Sequence, residues 1–347
     1  MCGKDIRKGC LKKYSGGDIM KEATICIVIL LLFSCLFAQE ITHSCFYTKG
    51  KYIYDPNGEK IILCGVNKMV VWTDPDGVPS FSEIAKTGAN VVRIVWTIKD
   101  GTMDGLDTAI KNCIKEKMIP MIELHDATCK WEKELFNKIT AYWTDKKMVS
   151  IIKKHEKYLM INYGNEIGGW NISLEDYEKT YSDIIKKMRK AGIKVPIIID
   201  MLKCGQDLTP YLVCAENIVK ADPEHNVIFS IHMWWTDGSP ERVKQAFTAA
   251  QYVNAPLIVA EFAHKGVGCS GSIPYQTIIE ECYNNETGWL AWEWGPGNTD
   301  CAEMDMTKDG IYNTLYGWGK EVAVDSKYSI KNTARKTKFL KEIKIDE

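Results

Sequence analysis

Residues 158–201, YLMINYGNEIGGWNISLEDYEKTYSDIIKKMRKAGIKVPIIIDM, contain one complete strand–helix–strand unit, and its reading sets the architecture. Its first run (158–166) and its last (195–201) are apolar almost throughout, as strands covered on both faces are. Between them Leu174, Tyr177, Tyr181, Ile184, Ile185 and Met188 recur at helical spacing. Ser173 is placed to cap the helix start and Gly192 to end it. Continuous apolar strands alternating with amphipathic helices imply a parallel sheet with helices on its outer side.

The same rhythm extends in both directions. Strand-like runs recur at 61–67 (IILCGVN), 90–96 (NVVRIVW), 119–125 (IPMIELH), 227–233 (VIFSIHM), 256–262 (PLIVAEF) and 288–294 (GWLAWEW), giving eight with the two already described. Eight such units predict closure into a (β/α)8 TIM barrel, a single α/β domain over residues 39–330. An open doubly wound sheet is the alternative, but CGVNKMVVW after the first strand lacks the G-x-G-x-x-G phosphate loop, and no Walker A sequence is present. The basic segment 331–347 reads as a solvated end, finishing in a helix.

With 44 basic and 45 acidic side chains the protein has no overall field to attract nucleic acid or anionic lipid. At the N-terminus ATICIVILLLFSCLFA (23–38) follows Lys21 and is short for a membrane span, so residues 1–38 read as a secretory signal region, with Met20 a second candidate start. An uncleaved anchor is the alternative. The expectation is a secreted, extracellular protein with no stable membrane association, acting as a monomer. Of thirteen cysteines, Cys2, Cys10, Cys26 and Cys35 fall in or before that segment. Export of the other nine predicts up to four disulfides and one free thiol. No cysteine or histidine cluster has metal-ligand spacing, and no metal is expected. Asn171 (NIS) and Asn285 (NET) are glycosylation sequons.

Function is read from the strand tips. Asn67, Arg93, His125, Glu166, Asp200, His232, Glu261 and Trp292 each lie at or near the C-terminal end of a different run, and in a parallel barrel those ends share the face that carries the active site. Any one of them, Asp200 especially, is equally well a strand cap. Glu166 and Glu261 are the two glutamates among them. One carboxyl kept neutral and one kept ionised across a barrel mouth are what glycosidic cleavage requires. Arg93 would hold a neighbouring carboxylate charged, while burial favours the neutral acid. An internal Arg93–Glu166 ion pair is the structural alternative.

INYGNE, FSIHM, LIVAEFAH and GWLAWEWGPGN, with RIVW, ELHDAT, DMLKCGQD and MDMTKDG, resemble in order and spacing the strand-end motifs of glycoside hydrolase family 5, and more closely its bacterial-type endo-β-1,4-mannanases. The resemblance runs from about Cys64 to about Trp318. It implies a (β/α)8 barrel and a retaining mechanism on a β-linked polysaccharide, without cofactor or metal. It places the acid/base on Glu166 and the nucleophile on Glu261. Arg93 would hold the nucleophile charged, His125 and Asn165 would contact the sugar, His232 would support the acid/base region and Trp292 would floor the pocket. Asn67 joins this supporting set.

This sequence also departs from the pattern. Trp234 stands where the family usually has a tyrosine hydrogen-bonded to the nucleophile, the first-strand loop NKMVVW lacks the usual histidines, and Ile167 and Cys204 occupy positions where tryptophans are expected. Trp72, Trp170, Trp234, Trp235 and Trp294 are the candidate replacement platforms. A cellulase-type endo-β-1,4-glycanase and a non-catalytic carbohydrate-binding barrel remain as alternatives.

Overall fold

The computed structural model describes residues 43–344, so the signal region with Met20 lies outside the described residues. Three short strands, β1 (Tyr47–Lys49), β2 (Tyr52–Tyr54) and β3 (Lys60–Ile61), form an antiparallel sheet. Eight further strands follow: β4 (Cys64–Lys68), β5 (Val91–Trp96), β6 (Ile119–Leu124), β7 (Met160–Asn162), β8 (Ile197–Asp200), β9 (Val227–His232), β10 (Leu257–Glu261) and β11 (Gly288–Ala291). They are parallel and close into a barrel in sequence order, β11 pairing with β4. Each is one of the eight runs read from the sequence. The bounds shift in every run, and β11 stops at Ala291, leaving Trp292 and Trp294 beyond it. Ile61 belongs to β3, outside the barrel. β7 ends at Asn162, so Asn165 and Glu166 sit in the loop beyond it.

Alternation along the strands builds the interior in layers. Val91, Met121, Met160, Ile198, Ile228 and Ile258 share the apolar lower layer. Two residues along the same faces come Arg93, Glu123, Asn162 and Asp200, with His232 higher on β9. An apolar plug is thus overlaid by a polar layer that faces the mouth. Gly65 belongs to the inner face of β4, where a Cβ would meet the Val91 carbonyl oxygen at 2.0 Å. β10 breaks the rule: Val259 pairs with Ile231 but Glu261 with His232, so Ala260 is an extra residue. Ala260 already faces the interior apolar cluster, and this bulge turns its neighbour Glu261 inward as well.

The helices form the outer layer. In Leu174–Lys190 the Ser173 hydroxyl accepts the Asp176 N–H, and Tyr177, Tyr181, Ile184, Ile185 and Met188 are buried, as the spacing predicted. The C-terminal segment differs from the solvated end read from its charge. Phe339, Leu340 and Ile343, interleaved among its lysines, close the bottom of the barrel beside Phe46, Ile53, Ile61 and Leu63. Asn90 Nδ2 donates to the Arg335 carbonyl (2.9 Å) and Lys336 Nζ to that of Glu116 (3.0 Å), fixing the segment in place.

The cysteines also depart from expectation. Cys129–Cys204 and Cys269–Cys301 are bonded, while Cys45, Cys64, Cys113, Cys214 and Cys282 are free and buried. Those five behave as small core residues, and burial pushes the Cys64 thiol up to about 12, leaving it unreactive. Among the described residues no helix is long and apolar enough to cross a membrane.

Candidate active site

The polar layer is organised by one guanidinium. Arg93 is fully buried, and its Nη1 donates to Glu261 Oε1 (2.6 Å) and Asn67 Oδ1 (3.0 Å). Its Nε donates to Asn162 Oδ1 (2.9 Å) and its Nη2 to Asn165 Oδ1 (2.8 Å). Glu123 (3.9 Å) and Asp200 (3.7 Å) flank it. The rigid fork suits this task, since one planar group orients four side chains from four elements. The alternative Arg93–Glu166 pair does not form: the close partner is Glu261. Asn67 is buried, donating to the Ala260 (2.8 Å) and Ala291 (3.2 Å) carbonyls, so it supports Arg93 and does not face the pocket.

Glu166 reaches the site by an unusual backbone path. Its φ is +49°, in the left-handed region, and Asp200 Oδ2 accepts its N–H (2.8 Å). Asp200 also accepts from Asn162 (3.1 Å), so its role is to position the Glu166 peptide, more than to cap a strand. His232, on β9, lies between the two acids. Its Nδ1 is 2.9 Å from Glu166 Oε1 and 3.3 Å from Glu261 Oε2. One oxygen of Glu166, one of Glu261 and a nitrogen of His232 all lie within 4.8 Å of one another. Among the described residues this is the cluster with metal-ligand spacing, and a proton on His232 Nδ1 already satisfies both carboxylates.

The environment separates the two carboxyl groups. Burial alone would raise Glu261, but His232 and Arg93 outweigh it and hold the carboxyl down at about 2. For Glu166 burial dominates and the charge on Glu261 adds to it, so its pKa is raised despite the His232 hydrogen bond. Burial opposes protonation of His232, yet Glu261 and Asp200 raise its pKa above the usual imidazole value. Opposite shifts in neighbouring acids mark one proton donor and one standing anion.

These groups open into a cavity of about 480 Å³ lined by His125, Asn165, Glu166, Trp234, Glu261 and Trp292, among others. Trp292 forms one wall, its Nε1 donating to Asn298 Oδ1 (2.9 Å), and lies roughly parallel to His125 at 6.0 Å between ring centroids. Asp305, from the MDMTKDG segment, accepts from the Asn298 side chain (2.7 Å) and the Gly297 N–H (3.1 Å), which fixes that wall. Trp72 is 47% exposed at the rim, where Nε1 donates to Asp100 (2.9 Å). Trp294 is fully buried and donates to the Gly310 carbonyl (2.7 Å), so it is core and not a platform. Trp235 is buried beneath Arg242, and Ile167 packs in the core. A second cavity, of about 270 Å³, lies at the opposite barrel end beside Lys51 and Glu286, remote from both acids.

Trp234 does reach Glu261: its Nε1 donates to Glu261 Oε2 at 3.2 Å. Sequence reasoning missed Glu123, whose Oε1 lies 2.9 Å from His125 Nδ1, and it missed Asn162, Asn298 and Asp305. Glu123 was findable: IELH puts two polar residues on one strand face, two positions apart. Asn298 and Asp305 had no periodic signal, because they meet across a loop.

Fold and site together define a glycoside hydrolase. A family profile described as cellulase (glycosyl hydrolase family 5) matches residues 54–298. The mannan endo-1,4-beta-mannosidase of Salipaludibacillus agaradhaerens is 30% identical over 285 residues, covering 80% of this chain and 90% of that protein. The mannanase catalytic domain of Streptomyces sp. SirexAA-E superposes with a TM-score of 0.77 at 26% identity, covering 87% of this chain and 96% of that one. A mannohexaose complex of Thermomonospora fusca beta-mannanase gives 0.77 at 25% identity, covering 86% and 100%. The chain belongs to glycosyl hydrolase family 5.

Proposed function

We propose that the protein is a secreted, monomeric, retaining endo-β-1,4-mannanase with Glu261 as nucleophile and Glu166 as acid/base. The observation that carries this reading is the close, oppositely tuned pair of acids: an oxygen of each lies within 4.8 Å of the other, which favours double displacement, with carboxyl groups ~5–5.5 Å apart, over inversion, which needs roughly 6.5–9.5 Å to admit a water. Glu261 attacks the anomeric carbon, forming a C–O bond, as the glycosidic C–O bond breaks and the Glu166 proton passes to the departing oxygen. Glu166, now ionised, takes a proton from water, whose oxygen displaces Glu261 from the anomeric carbon. Arg93 and His232 keep Glu261 anionic for the first step. Negative charge on Glu261 raises the Glu166 pKa until the glycosyl bond consumes that charge, which then favours the base form. Asn165 and His125 face the cavity where the sugar hydroxyls would lie.

The mannan preference follows the named relatives; secretion follows the N-terminal apolar run. Asn171 and Asn285 are both exposed, as attachment of glycans requires. Reducing-sugar release from galactomannan with little from carboxymethylcellulose is the expected result, and the reverse preference would make the protein a cellulase. Binding of mannan without turnover would return it to the non-catalytic alternative. Trp234 argues for turnover, because its N–H is aimed at Glu261. Trp234→Phe keeps a ring and removes the donor, so kcat/KM on mannohexaose should fall about 10- to 100-fold, the value of one hydrogen bond to a charged group. An unchanged kcat/KM would mean that the indole only fills space.

A further inference from the structure

Two loops that touch no reacting atom meet over the acid/base segment. Cys129, beyond β6, and Cys204, beyond β8, are joined by a disulfide with their Cα atoms 4.6 Å apart. The loop carrying Glu166 passes alongside both. The Cys129 N–H donates to the Glu166 carbonyl (2.9 Å), and the Cys204 N–H donates to the Gly168 carbonyl (2.8 Å). The gripped segment has left-handed backbone, Glu166 at φ +49° and Gly168 at φ +130°, and the two cysteines that grip it are left-handed as well, Cys129 at φ +61° and Cys204 at φ +56°. A left-handed conformation at a residue other than glycine is unfavourable and persists only where its surroundings over-determine it. Asp200 holds the N–H of Glu166 and Cys129 holds its carbonyl. Gly168 is pressed against Leu202, whose Cδ2 would lie 2.6 Å from a Cβ there. Cys129 and Cys204 both border the catalytic cavity.

We propose that the Cys129–Cys204 crosslink is a positioning element for acid–base catalysis. By tying the loops on either side of the acid/base segment to each other, it fixes the peptides at Glu166 and Gly168 and so aims the Glu166 carboxyl at the glycosidic oxygen. This rests on the reading of Glu166 as the acid/base. The second crosslink, Cys269–Cys301, joins the loops after β10 and β11 and has no hydrogen bond to the 163–169 segment. The first bridge is therefore specific to proton transfer, where a general stiffening of the mouth would involve both.

The test compares Cys129→Ser/Cys204→Ser, Cys269→Ser/Cys301→Ser, Glu166→Ala and the parent enzyme on two substrates. Mannohexaose has a leaving group that must be protonated. 2,4-Dinitrophenyl β-mannobioside does not, and added azide attacks the glycosyl-enzyme directly. The new C–N bond forms as the C–O bond to Glu261 breaks and returns the electron pair to its carboxylate, with no proton to remove. For Cys129→Ser/Cys204→Ser, kcat on mannohexaose should fall about 10- to 100-fold, the effect of a misplaced catalytic group, and the aryl reaction with azide by less than about threefold. Any loss in Cys269→Ser/Cys301→Ser should be equal on the two substrates. No loss on mannohexaose, or an equal loss on both, in Cys129→Ser/Cys204→Ser overturns the clamp. Equal losses for Glu166→Ala overturn the acid/base assignment and the clamp with it; selective loss there but not in the cysteine pair overturns the clamp alone. Should Cys129→Ser/Cys204→Ser not fold, dithiothreitol applied to folded Cys269→Ser/Cys301→Ser replaces it. The dithiol supplies two electrons and two protons, giving two thiols and its own cyclic disulfide, and the same selectivity is expected.

Discussion

Glu261→Gln should lower kcat on mannan by a factor of roughly 10⁴ or more, the scale seen when a covalent nucleophile is removed. The amide matches the carboxylate in shape but cannot form the glycosyl ester. Its one oxygen can still accept from Arg93 in the Oε1 position, while the NH2 that takes the Oε2 position leaves the Trp234 N–H without an acceptor; the side-chain volume is unchanged, so mannohexaose should still bind. The loss would then appear in kcat with KM little changed. A second consequence concerns Glu166, whose pKa is raised partly by the charge on Glu261. Removing that charge should move the Glu166 titration to lower pH, measurable by carboxyl NMR in the inactive variant. Retention of more than about 1% of the parent turnover would assign the nucleophile elsewhere.

Arg93→Lys should be nearly as severe and should also destabilise the fold. Lysine keeps the charge but not the fork, and cannot serve Glu261, Asn67, Asn162 and Asn165 at once. Glu123, Asp200 and Glu261 would be left buried with one mobile ammonium among them. Breaking a buried ion pair costs about 3–5 kcal/mol. Thermal unfolding should drop by roughly 10 °C, given about 2–4 °C per kcal/mol in larger domains. The pH dependence has a definite sign. The Glu261 pKa is depressed to about 2 in the folded protein, so its stabilising contribution is fully present above the ordinary carboxylate value of 4.5 and is lost as pH falls through 2. The stability gap between parent and variant should therefore be widest above pH ~4.5 and narrow toward pH ~2. The acidic limb of kcat/KM should rise in pH in the variant. A gap independent of pH would show that Arg93 acts by packing and not on Glu261.

The barrel was legible because it is written in a local code. Eight apolar runs and the spacing of residues such as Tyr177, Tyr181 and Ile185 state strand and helix directly, and the parallel topology then gathers Arg93, His125, His232 and Glu261 at one face. The means by which the two acids come to face each other was not legible. Glu166 lies past its strand in a left-handed turn, and Glu261 would point outward by strict alternation were it not for the bulge at Ala260. Both depend on tertiary contacts, the Asp200 carboxylate in one case and the β9 register in the other. The number of disulfides failed for a related reason: a cysteine count cannot distinguish Cys129, which meets a partner across a loop, from Cys113, sealed on the buried face of its own helix. Charge misled at the C-terminus, where the lysines hid Phe339, Leu340 and Ile343.

That last segment bears on how the molecule comes into being. Because Leu340 and Ile343 seal the floor of the barrel, a nascent chain halted near residue 336 would have all eight strands synthesised and still present an open, greasy base. Closure of that base must wait until Leu340 and Ile343 have emerged, so the order of synthesis places the sealing of the floor after the assembly of the strands.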